Sequence, residues 1–546
     1  MTTRSETVAR AALVIAAILA GSTNAQETAP APQTAPAPAQ APTPETMPAP
    51  DPELPAAPQV ELTPAPQTAP STRQDTNVVR VPYIPEYLKQ QIRDEIRNGL
   101  REDAVEAVLA QARQERWGLP DALPAWVNRI KLKGDLRVRM QADLFASDNR
   151  PNSYVDYNAV NARGGITKAG VDAYANTTED RYRLRVRARL GLDAAVTSDF
   201  KVGARISTGN TSDPVSTNQT LGNYANRYAA VWDQIYLKYD DLNSDRYKWL
   251  TVMAGRMPNP WLSTDLVWDS DLAFEGLAAT LRMNLRGSDS LLEQDENDRT
   301  LLFTLGAFPI QEVERSAQDK WLYGAQLGSE VTTVNQSVFK IGLAYYAFDN
   351  LVGERNSPDS TTRDFTAPRF FQKGNSLFDI NNSTSDPAAD LFAHAADYDL
   401  VNVTATADLA FFAPIRVVIT ADYVENIGFD KREVESRMGV PVEEEVTAAQ
   451  LQVTVGWPDV GLPGNWRVHA AFRRVENDAV PSEFTDSDFH LGGTNAKGYI
   501  LGFEYGLLSE TWLSVRYLSS DEVSLKADGF APLGADTLQV DVNARF

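Results

Sequence analysis

The stretch Arg181-Tyr182-Arg183-Leu184-Arg185-Val186-Arg187-Ala188-Arg189-Leu190 alternates a cation with a large or apolar residue throughout its length. A period of two belongs to an extended strand, whose successive side chains point to opposite faces. One face then carries five guanidinium groups, and the other carries Tyr182, Leu184, Val186, Ala188 and Leu190. Five cations in register need water, while the opposite face needs an apolar medium. A strand of a transmembrane barrel meets both demands, with apolar residues against lipid and polar residues against an enclosed aqueous lumen. The preceding run reads the same way. Leu132, Gly134, Leu136, Val138 and Met140 alternate there with Lys131, Lys133, Asp135, Arg137, Arg139 and Gln141.

Working outward, comparable alternation recurs near 200–207, 231–239, 249–256, 274–283, 299–308, 321–330 and 338–347. It resumes near 399–409, 415–424, 449–457, 465–474, 498–507, 511–519 and 537–546. The expected fold is therefore an all-β transmembrane barrel over 126–546, with about sixteen antiparallel strands, an even number as closed bacterial barrels require. Connections after odd strands are long (144–178, 210–227, 257–271, 349–395, 426–444, 477–493), and those after even strands are mostly short. That parity puts long loops outside and both barrel ends on the periplasmic side. The 284–297 turn and the 309–317 loop break the pattern, and keep eighteen strands as the alternative count. The last segment alternates Leu538, Val540, Val542, Ala544 and Phe546 with polar residues. A final amphipathic strand ending in Phe546 resembles the carboxy-terminal signature that the barrel-assembly machinery recognises.

The amino-terminal region reads differently. Arg4 and Arg10 precede the apolar run Ala11 to Ala20, and Ala25 offers a small residue for cleavage, so residues 1–25 are expected to be a signal peptide. Residues 26–82 are Pro/Ala-rich and cannot form a core, which suits a disordered, extended periplasmic linker able to reach peptidoglycan. Across 83–120, Leu88, Ile92, Ile96, Leu100, Val105, Val108 and Leu109 recur at helical spacing. This amphipathic helix, about 50 Å long at ~1.5 Å per residue, either self-associates as a short coiled coil or packs against its own barrel mouth.

Composition narrows the function classes. Among 546 residues there is no cysteine, which excludes disulfides and thiolate metal sites. With 73 acidic against 51 basic side chains, the formal charge of -22 argues against nucleic acid as a partner. A mean hydropathy of -0.33 would be too polar for a bundle of membrane helices, but not for a barrel in which only alternate residues meet lipid. The three histidines, His394, His469 and His490, show no metal-ligand spacing, and no serine sits in a nucleophile-elbow context. No catalytic residue, metal or cofactor is expected.

A family resemblance is carried by Tyr83-Ile84-Pro85-Glu86-Tyr87 and by Gly255-Arg256-Met257-Pro258-Asn259-Pro260. These lead to Asp265-Leu266-Val267-Trp268-Asp269-Ser270-Asp271 and Glu275-Gly276. The chain resembles the Putative porin family of Gram-negative bacteria over roughly 83–546. The resemblance implies an outer-membrane diffusion pore for small hydrophilic solutes, a homotrimer in contact with lipid and lipopolysaccharide, and no defined substrate chemistry. General porins fold the loop after strand five into the lumen, and here that loop bears the motif. An arginine wall of Arg137, Arg139, Arg181, Arg183, Arg185, Arg187, Arg189 and Arg205 would then face a constriction loop bearing Asp265, Asp269 and Asp271. Such a wall favours anions. The alternative is that the arginines merely pair with inward carboxylates. Rival functions are a structural tether to the cell wall and a substrate-specific receptor or channel; an energy-coupled receptor would need a plug domain and about twenty-two strands.

Overall fold

Alternation over the whole length of a segment leaves its backbone free to pair on both edges, and a sheet paired on every edge must close on itself. The computed structural model describes residues 129–242, 247–286, 299–524 and 533–546. The expected signal peptide (1–25), linker (26–82) and helix (83–120) lie outside these residues. The staves are β1 (Ile130–Phe145), β2 (Arg181–Ala195), β3 (Phe200–Ser207), β4 (Val231–Leu242), β5 (Lys248–Met257), β6 (Phe274–Arg286), β7 (Arg299–Gln311) and β8 (Lys320–Thr332). The second half comprises β9 (Val338–Asp349), β10 (Asp399–Phe412), β11 (Ile415–Asn426), β12 (Thr447–Gly456), β13 (Trp466–Val475), β14 (Ala496–Leu508), β15 (Thr511–Asp521) and β16 (Gly534–Arg545). Each pairs antiparallel with the next, and β16 returns to β1 with Val138 opposite Val542 and Arg139 opposite Asp541. The barrel is closed with sixteen strands, so the alternative of eighteen falls away. A seventeenth member of the sheet, the two-residue segment Gln219–Thr220, pairs with β2 where β3 has ended.

The seam is sealed at the last residue. Gly134 and Phe546 exchange both backbone hydrogen bonds, at 2.9 and 3.0 Å. A Cβ at Gly134 would collide with the Phe546 ring, so the glycine makes room for the terminal aromatic.

Exposure is the inverse of that in a water-soluble protein. Outward-facing Leu132 is 65% exposed, whereas inward-facing Arg139 is 1% exposed. The long connections follow odd strands (146–180, 208–230, 258–273, 350–398, 427–446, 476–495, 522–533), with the brief 312–319 after β7 and the longer 287–298 after β6 as the exceptions.

The lumen is filled on one side. The loop 258–273 turns inward after β5, and Trp261 meets Phe308 and Tyr346 edge-on, with centroids 6.1 and 5.3 Å apart. Gly324 permits this approach, since a Cβ there would lie 2.6 Å from the Trp261 ring. The Gln326 side chain bonds both backbone groups of Leu262, and the Thr264 hydroxyl donates to Asp422 at 2.6 Å. Buried Trp268 packs against Phe274 and Tyr346. The loop 476–495 then docks on the first loop: Asp269 N donates to Phe484 O at 2.8 Å and Asp486 N to Asp265 O at 3.1 Å. The loop 350–398 joins them through Gln372, whose amide donates to Ser482 O and Thr485 O.

Candidate functional site

The remaining inward surface belongs to β1–β3 and β13–β16, and there the arginines collect. Strand register sets Arg137 directly opposite Arg187 and Arg139 opposite Arg185. Like charges in opposed positions repel, so the wall requires anionic partners. Arg139 grips Asp541 of β16 with two hydrogen bonds of 2.8 and 2.9 Å. It also reaches Asp488 of the 476–495 loop at 3.2 Å, where Arg516 arrives at 3.1 Å. Arg183 donates to Asp143 at 2.5 Å. Arg187 and Arg189 share Asp135 at 3.0 and 2.8 Å, and both lie within 3.5 Å of Asp271. Arg205 donates to Asp233 at 2.5 Å, and Arg181 is exposed at the start of β2.

Two guanidinium groups differ. Arg137 donates to the Asn218 amide oxygen at 2.5 Å, and Arg185 to Gln141 and Ser216 at 3.1 and 3.4 Å. Among the described residues, neither has a carboxylate within the 4 Å of an ion pair. The Nε donors of Arg137, Arg183, Arg185 and Arg187 are buried without a protein acceptor. Above them, at the long-loop end, opens a recess of about 810 Å³ whose lining includes Arg181, Arg183, Arg185, Asp143 and Asp488.

The acidic loop divides its carboxylates. Only Asp271 meets the arginines; it also accepts from Thr217 N and Oγ1 at 3.1 and 2.9 Å. Burial opposes its ionisation, but Arg187 and Arg189 outweigh burial and hold it below the usual carboxylate range. Asp269 instead accepts from Asp271 N and Ser487 N at 2.7 and 2.9 Å. Asp265 lies against the 476–495 loop. Burial and the neighbouring Asp486 push Asp265 up to about 6 and Asp269 well above the ordinary value. The expectation that all three face the arginine wall is therefore corrected. Backbone bonding between the two inner loops turns Asp265 and Asp269 away, and Asp488 takes the central place. Burial alone would raise the Asp488 carboxyl, yet Arg139 and Arg516, then Arg137 and Arg185, hold it far below the usual range. The sequence reading missed Asp488; its signal was the run Glu483-Phe484-Thr485-Asp486-Ser487-Asp488 within a long connection after an odd strand.

The histidines are dispersed. His394 Nε2 lies 2.5 Å from Glu483 Oε1, His490 Nδ1 lies 2.9 Å from Ser520 Oγ, and His469 is on the inward face of β13 beside Gly502.

Several solved structures are similar to this chain. They include OprB of Pseudomonas putida at high pH, with TM-score 0.41 and 11% identity over 79% of this chain and 97% of that one. OmpF of Salmonella typhi in complex with daunomycin matches with TM-score 0.38 and 10% identity, over 76% and 97% of the two chains. The outer membrane channel DcaP of Acinetobacter baumannii gives TM-score 0.37 and 11% identity, again over 76% and 97%. No curated protein matches the sequence. The family model described as Putative porin matches residues 10–546, and the chain belongs to that family of outer-membrane channels.

Proposed function

We propose that the barrel is a passive diffusion pore for small hydrophilic solutes and that it favours anions. The observation that carries the preference is the pair Arg137 and Arg185, two inward guanidinium groups without a carboxylate partner among the described residues, of which Arg185 lines the recess. A unit charge 4 Å from another gains about 1 kcal/mol in bulk water and about 4 kcal/mol where the effective dielectric constant is 20. A passing anion collects such an increment at each free cation, and a cation loses it. The test is the reversal potential of purified protein in planar bilayers under a potassium chloride gradient. Arg137→Ser combined with Arg185→Ser should move it toward cation selectivity by several-fold in permeability ratio. An unchanged potential would remove the preference and leave Arg137 and Arg185 as hydrogen-bond partners of Asn218, Gln141 and Ser216.

The same reading places the signal peptide at 1–25, a periplasmic linker at 26–82 and a stalk helix at 83–120. It makes Phe546 the barrel-assembly signal and the assembly a homotrimer. A second reading, a substrate-specific channel, is favoured by the packing of the 258–273, 350–398 and 476–495 loops across half of the lumen.

A further inference from the structure

A second cavity of about 670 Å³ opens at the long-loop end, over the filled half of the lumen. Its floor is aromatic. Trp268 and Phe274 stand 5.1 Å apart edge-on, Phe274 and Phe308 5.1 Å apart, and Phe484 lies 6.1 Å from Trp268. Trp268, Phe274 and Phe308 belong to the buried apolar cluster beneath, so the base of the cavity is continuous with the packed core.

Among the charged residues that line this cavity, two buried ones of opposite sign, Lys320 and Glu483, do not pair with each other. Lys320, at the start of β8, is 1% exposed, and its ammonium makes one hydrogen bond, to Thr366 O at 3.0 Å. An ammonium has three donors. Glu483, also buried, engages His394 through Oε1, while Oε2 is buried with no protein donor. No carboxylate stands within ion-pair distance of Lys320 among the described residues. A buried charge left part-satisfied costs stability, and a fold that keeps two of opposite sign around one cavity has a use for a ligand bearing both complements.

We infer that the cavity bordered by Lys320, Glu483 and the ring floor Trp268, Phe274, Phe308 and Phe484 is a binding site for a small zwitterion with an apolar ring, the chemistry of an aromatic amino acid. The ligand carboxylate takes the spare Lys320 donors, its ammonium takes Glu483 Oε2, and its ring lies on the aromatic floor, where edge-to-face contacts are favourable. The size falls within the ~300–1,000 Å³ of small-molecule pockets. This site is separate from the arginine wall and does not depend on the anion preference.

Calorimetric titration of the detergent-purified full chain tests it with three probes. L-phenylalanine should bind saturably, whereas phenylacetate, which lacks the ammonium, and phenethylamine, which lacks the carboxylate, should each bind at least tenfold more weakly. Lys320→Met should remove the advantage of L-phenylalanine over phenethylamine, and Glu483→Gln its advantage over phenylacetate. That crossed loss distinguishes lost contacts from a misfolded variant, which would weaken all three probes alike. Absence of saturable L-phenylalanine binding at millimolar concentration, or equal affinity for the three probes in the unaltered protein, would overturn the assignment.

Discussion

The two halves of the lumen start from the same rule and end in opposite states. On β1–β3 and β15–β16 the inward positions are charged, their like-charge registers are offset by carboxylates from three directions, and a recess stays open above them. On β7–β11 the inward positions include Phe308, Tyr346 and Gly324, and the loop 258–273 lays Trp261 and Trp268 against them. Period-two alternation says only that a residue faces inward. Whether that inner surface is wet or dry depends on what a loop brings to it. Covering charged side chains carries a large desolvation cost, so the wall is held by carboxylates and keeps a recess open beside Arg181, Arg183 and Arg185, while rings gain by being covered.

The largest way to break the contrast is to unseat the dry half. Trp261→Ala removes a ring contacting Phe308, Tyr346 and the Gly324 backbone, at a cost of about 3–5 kcal/mol for a buried aromatic. The loop should detach, lowering the thermal midpoint in detergent by several degrees and raising single-channel conductance. Unchanged conductance together with an unchanged midpoint would show that ring packing does not hold the loop.

The strands were legible because lipid and water act on every residue along them. Arg181 to Leu190 displays both faces in one line of sequence, and β1 and β16 repeat the pattern. The lumen-facing parity of the arginines followed from the same alternation. Which carboxylate answers which arginine did not follow, because loops carry no periodicity and their seating is decided by distant partners. Asp265, Asp269 and Asp271 look like one acidic edge in sequence. In the fold, the Asp269 carboxylate is spent on Asp271 N and Ser487 N, and only Asp271 reaches Arg187 and Arg189. Asp488 was hidden for the converse reason. It lies more than two hundred positions from the motif loop, and backbone bonds between 265–269 and 484–487 carry it to Arg139.

A smaller and opposite perturbation sharpens the wet half. Asp488→Asn leaves Arg139 with Asp541 and leaves Arg516 with only the Gln539 amide oxygen, at 3.3 Å. The lumen gains one unit of positive charge beside Arg137 and Arg185. With about 1 kcal/mol per charge pair at 4 Å in water, anion permeability should rise roughly fivefold and cation permeability should fall, read as a shift of the reversal potential toward anions. A shift toward cations would mean that Asp488 does not screen the conduction path.

The smallest effect lies at the boundary between the halves, where Asp265 is pushed up to about 6 by burial and then by Asp486. Its folded-state value exceeds the ordinary 3.8, so between about pH 4 and 6 the folded barrel holds a proton that the unfolded chain has released. Folding binds a proton in that window, and stability therefore falls as pH rises through it and levels off above about 6. Asp269 is shifted the same way, whereas Asp271 and Asp488 are shifted down and lose their stabilising contribution only as pH drops below the ordinary carboxylate range. The thermal midpoint in detergent should be lower at pH 6.5 than at pH 4.5, and Asp265→Asn should shrink that difference because the amide never ionises. Equal slopes in the two proteins would mean that the inner loops meet without burying a protonated Asp265, and that the division between wet and dry halves carries no charge of its own.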